Sequence, residues 1–91
     1  SRQRREIQDR ISGLEKEIAD LESRQKELVA ELESPETYAK PGRAMEVNRE
    51  LMDIHDRLAM VMSNWEKAST ELDRSGDGSS PQDKASASKP A

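Results

Sequence analysis

The chain has no cysteine and no phenylalanine, and it holds one tryptophan, one tyrosine and one histidine among 91 residues. Without cysteine there is neither a disulfide framework nor a thiolate metal site. A single imidazole excludes a histidine-rich metal site and any catalytic centre that needs two. Aromatic residues make up 2% of the sequence and hydrophobic residues 32%, too little to fill the core of a sheet protein or a many-helix globule. No run approaches ~18 consecutive apolar residues, and no charged-then-apolar leader opens the sequence, so neither a membrane span nor a signal peptide is expected. A glycine-rich phosphate loop and a Ser-His-Asp pattern are also missing. No catalytic, cofactor-binding or metal-ligating residue is expected.

What the sequence has in abundance is charge. Charged residues reach 37%, with 15 basic and 19 acidic side chains and a net charge of −4. That balance supplies no global attraction to nucleic acid. The composition reads as a charge-rich, helix-prone piece of something larger. Residues 2–33 lack proline, contain one glycine (Gly13) and are rich in Glu, Lys, Arg, Gln, Leu and Ile, which are mostly strong helix formers. The connector 34–42, SPETYAKPG, holds two prolines and a Pro-Gly pair. These stop a helix, although Ser34-Pro35 suits the start of a short helical turn through Tyr38. Residues 43–73 have no proline or glycine and again favour helix, whereas 74–91 carry no large apolar side chain. That last stretch reads as a disordered C-terminal tail.

Both long segments repeat every seven residues. In the first, Ile7, Ile11, Leu14, Ile18, Leu21, Gln25, Leu28 and Leu32 alternate spacings of 4 and 3. In the second, Ala44, Val47, Leu51, Ile54, Leu58, Val61, Trp65, Ala68 and Leu72 do the same. An average spacing of about 3.5 residues with charged flanks is the pattern of a left-handed coiled coil. A connector this short cannot return the chain to the far end of a ~45 Å helix. The expected fold is therefore all-α: an antiparallel two-helix coiled-coil hairpin over 2–73. In the register that gives each seam residue of the first segment a partner on the second, Leu32 meets Val47, Leu28 meets Leu51, Leu14 meets Trp65 and Ile7 meets Leu72. On the flanks, Arg10 approaches Glu71 and Glu22 approaches His55. Glu31 beside Glu50 and Arg24 beside Arg57 are unfavourable unless they pair diagonally.

Few residues stand outside this frame. His55 reads as a flank residue beside Glu22. Gln25 either fixes register as a buried polar residue or sits in a seam gap open to water. Met45, Met52 and Met62 lie off the seam, with His55 and Ala59 between them, as a side stripe on helix two. Such methionines either pack over the seam's shoulder or form an adaptable docking face for a parent domain or a second copy. Arg2, Arg4, Arg5 and Arg10 gather near Lys67 and Arg74 at the open end. Glu6, Asp9, Glu66, Glu71 and Asp73 are interspersed, so from the residues alone the patch is a mixed solvated face.

The segment LESPETYAKPGRAMEVNRELMDIHDRLAMVMSNWEKASTEL carries a family resemblance. Ser34, Pro35, Glu36 and Tyr38 in the turn, with a late Trp65-Glu66 pair, resemble the C-terminal coiled-coil domain of ABC-F ATPases, the Uup-like branch, over about residues 5–72. The resemblance implies a cytoplasmic, non-catalytic appendage to two ATP-binding cassettes, with ATP and Mg bound by the parent and no cofactor here. It implies DNA or ribosomal RNA as partner, or docking on the protein's own ATPase domains. For phosphate contact, the residues expected are those of the open-end cluster, Arg2, Arg4, Arg5 and Arg10. A small-molecule substrate is not expected, and a homodimer is possible. The competing reading is a structural or oligomerisation coiled coil with no nucleic-acid role. Tyr38 is expected to pack over the turn and close the seam.

Overall fold

The computed structural model describes residues 2–75. Among them three helices follow one another: α1, Arg2–Leu32; α2, Pro35–Ala39; and α3, Arg43–Ser75. The described residues contain no strand. α1 and α3 pack along their length as an antiparallel hairpin, and the five residues of α2 cover the closed end. Direction is fixed by bonds that cross between the helices: Arg10 reaches Glu71, Arg57 reaches Glu17, Arg24 reaches Glu50 and Arg43 reaches Glu31. As residue number rises along α1, it falls along α3.

The core lies where the heptads put it. Ile7, Leu28, Val47, Ile54, Leu58, Val61 and Ala68 are buried. The remaining seam positions, including Ile11, Leu14, Trp65 and Leu72, are half-buried. Two helices shield only a narrow strip of each other, so half-burial is the expected state for the rest. The best-packed part, around Leu28, Val47, Ile54 and Leu58 with Ile18, Leu21, Leu32 and Leu51 against it, sits towards the turn. Gln25 is half-buried, its side chain bonds to no other described residue, and it has no amide atom sealed from water. It occupies a solvent-accessible seam gap.

The connector works through its side chains. The last carbonyls of a helix lack intrahelical donors. Thr37 donates its hydroxyl to the Glu31 carbonyl, and Tyr38 donates its own to the Leu32 carbonyl at 2.6 Å. Thr37 is buried, 3% exposed, whereas Tyr38 is 62% exposed. Tyr38 therefore does not close the apolar seam as expected. Its ring lies outside and its hydroxyl ties α2 to the end of α1. Past α2, the Arg43 amide donates to the Lys40 carbonyl across Pro41 and Gly42. Gly42 has φ +78°, and proline second with a left-handed glycine third is the type II turn pattern. At the far end α3 continues through Arg74 and Ser75, two residues into the segment expected to be disordered. Arg74 suits a helix C-terminus, where backbone carbonyls favour a cation. The rest of that tail, 76–91, lies outside the described residues.

Candidate functional site

Seven-residue periodicity gives the hairpin two long sides. On one side stand Arg10, Glu17, Arg24 and Glu31 of α1, each just before a seam residue, facing Arg43, Glu50, Arg57, Asn64 and Glu71 of α3. Signs alternate along both rows. Directly opposite residues would set Arg24 against Arg57 and Glu31 against Glu50, and the helices avoid this by diagonal reach. Arg24 binds both carboxylate oxygens of Glu50, at 2.8 and 3.2 Å. Arg43 grips Glu31 in the same two-pronged way, at 2.5 and 2.8 Å, and Arg57 meets Glu17 at 2.7 Å. Asn64 carries no charge, so Arg10 takes Glu71, at 3.2 Å. Within their own helices Arg24 also holds Glu27, and Arg43 holds Glu46.

These bonds act on the titration of their members. The Arg43 guanidinium, bonded to Glu31, holds that carboxyl below the usual carboxylate range, and Arg24 does the same to Glu50. Both arginines are raised in turn, chiefly by the hydrogen bonds to Glu31 and Glu50. Two parallel N–H···O bonds to one carboxylate fix geometry as well as charge. This side is closed and saturated.

The opposite side has no ion pair crossing between the helices among the described residues. Its crossing bond is that from Trp65 Nε1 to Glu15 Oε2, at 3.1 Å. Here the methionine stripe comes to the surface. Met45 and Met52 are each 67% exposed and Met62 is 41% exposed, with Val29 of α1 at 44%. Local packing over the seam's shoulder does not cover them. Two open clefts lie on this side, one lined by Glu15, Ile18, Met62, Trp65 and Glu66, the other by Asn48, Leu51, Met52, His55 and Asp56. His55 is exposed, and no ion pair joins it to Glu22 among the described residues.

At the open end, Arg2, Arg4 and Arg5 are exposed on the first turns of α1. Arg10 is separated from them in role, because Glu71 engages it. Lys67 and Arg74 belong to an open groove along the last turns of α3, with Ser63, Glu66, Thr70 and Glu71. The described residues hold no group of His, Cys, Asp and Glu able to bind a metal ion, and no helix long and apolar enough to cross a membrane. Sequence reasoning missed Thr37, whose burial in a five-residue helix leaves no periodic trace. It also missed Glu15 as the partner of Trp65, although Glu15 lies beside the seam on the matching side.

Residues 2–70 match the family model described as ABC transporter C-terminal domain. No curated protein and no solved structure matches the chain.

Proposed function

This chain belongs to the ABC transporter C-terminal domain family, and from that premise we propose that it is the non-catalytic interaction domain of an ABC-F-type, Uup-like ATP-binding protein, contacting nucleic acid through the open end of its hairpin. The observation that carries the reading is the position of Arg2 and Arg5. Both are exposed on the first turns of α1, and neither takes part in the ion-pair row that occupies Arg24, Arg43 and Arg57. Arg4 shares that end, and Arg10 joins it only by leaving Glu71. Phosphates of DNA or ribosomal RNA are the natural ligands of such a cluster, bound through charge and forked hydrogen bonds without reading bases. The stiff hairpin sets the distance between this end and the turn. ATP and Mg belong to the cassettes of the parent protein, which works in the cytoplasm, and the hairpin also docks on that ATPase core.

The test is fluorescence anisotropy with labelled duplex DNA and a labelled ribosomal RNA fragment at two salt concentrations. Phosphate recognition predicts binding that weakens steeply with salt and is lost in the Arg2→Ala/Arg5→Ala double variant. Absence of binding at low salt, or binding indifferent to both arginines, refutes it and leaves a spacer coiled coil.

A further inference from the structure

α3 carries a second seam. Met45, Asn48, Met52, His55, Ala59 and Met62 follow one another at spacings of 3, 4, 3, 4 and 3. This is the same alternation that packs the first seam against α1, displaced to the next strip around the helix. Residues so spaced form a stripe that faces a neighbouring helix along its whole length. α1 does not supply that neighbour, since Met45, Met52 and Met62 remain exposed.

We propose that this strip is the seat of a third helix, amphipathic and basic, contributed by a protein partner. The inference is independent of the nucleic-acid reading, which uses other residues at the end of the hairpin. Three observations define the occupant. The 3–4 spacing calls for a helix. The methionines, flexible and polarizable, call for an apolar stripe and tolerate imperfect fit. The charge around the strip calls for lysine and arginine. Glu15, Glu22, Asp56 and Glu66 border it, and none has an ion-pair partner among the described residues, whereas Lys26 and Arg49 are the cations nearby. Glu15 accepts a bond from Trp65, but a neutral indole leaves the carboxylate's charge uncompensated. Arg24, Arg43 and Arg57 lie on the opposite side, bound there to Glu50, Glu31 and Glu17. A second copy of the chain fits less well, because a two-fold pairing brings the same acidic borders together. An anionic membrane is repelled for the same reason.

Trp65 lines one of the clefts on this side and is the sole tryptophan, so its emission reports occupancy directly. The full chain is titrated with three synthetic peptides of equal length. One is helical, with leucine at every third and fourth position and lysine and arginine between. The second carries glutamate in place of the basic residues, and the third scrambles the first. The proposal predicts a saturable change in Trp65 emission with the basic helix alone. Met52→Gln with Met62→Gln is expected to weaken that binding about tenfold, as loss of central apolar contacts does. Glu15→Gln with Glu66→Gln should weaken it too, mainly at low salt, and circular-dichroism melts check that all variants remain folded. Arg2→Ala/Arg5→Ala should leave peptide binding intact, so either reading can fail without the other. Equal binding of the acidic or scrambled peptide, no response to the basic one, or binding indifferent to the methionines overturns the proposal. So does self-association abolished by Met52→Gln, or capture of the chain by phosphatidylserine vesicles.

Discussion

The two long sides of the hairpin share the same helices and the same seam, yet one is finished and the other is not. On the closed side, residues flanking the seam alternate in sign, and four ion pairs tie α1 to α3. On the open side the corresponding positions hold Asn48, His55, Met62 and Ser69 on α3, with Glu15, Glu22 and Val29 on α1. Three of the four ion pairs are made by arginines that reach one heptad along the partner helix, so they relieve the like charges that this register sets directly opposite. Exposed ion pairs add little stability, so the closed side contributes less to holding the fold than the buried seam does. The open side carries thioethers and carboxylates without ion-pair partners among the described residues, the features on which the proposed helix partner rests. In this molecule ion pairing and exposed apolar side chains are assigned to different faces of one helix pair.

The largest break is expected at the seam that both sides depend on. Leu28 is fully buried, and Leu28→Ala should cost about 2–5 kcal/mol, enough in so slender a hairpin to remove most helicity in a thermal melt. The turn that orients α3 comes next. Gly42 has open space where a methyl group would stand, but its backbone is left-handed. Gly42→Ala should therefore lower stability by about 1 kcal/mol through the backbone alone. Gly13 lies mid-helix with open space around it, and Gly13→Ala should raise the urea midpoint by the equivalent of about 0.5–1 kcal/mol.

Acid separates the two sides. Glu31 and Glu50 titrate below the usual carboxylate range when folded. Their contribution is therefore complete above that range and is lost as pH falls through their lowered folded values. A melting midpoint followed downward from neutral pH should drop across that window, and less so in Glu31→Gln/Glu50→Gln. An unchanged slope in the double variant would remove the closed side's role. The smallest effect belongs to the open side: Met45→Gln and Met52→Gln should each shift stability by less than about 0.5 kcal/mol, measured by denaturant unfolding.

Much of this was legible in the sequence because the seam obeys one rule throughout. Every seam position from Ile7 to Leu72 is buried or half-buried, and a nine-residue connector leaves an antiparallel return as the sole solution within one chain. Diagonal ion pairing was visible only as a condition, since the register alone sets Arg24 against Arg57. The reach of an arginine to the next heptad depends on side-chain conformation, which spacing does not encode. The turn misled for a related reason. Tyr38 is the large apolar residue, but a helix of five residues has no period from which to read its inward face, and that place belongs to Thr37. The methionine stripe was legible as a stripe, whereas its exposure required knowing that α1 leaves that side uncovered.

Because the chain has no cysteine of its own, a single pair of introduced thiols tests the hairpin most directly. Arg10→Cys and Glu71→Cys place them on two half-exposed residues that touch across the helices, 61 positions apart in sequence. With a short bis-maleimide linker the account predicts a cross-link within one chain, at monomer mass and with a yield independent of protein concentration. Cross-linked dimers alone, growing with concentration, would contradict it.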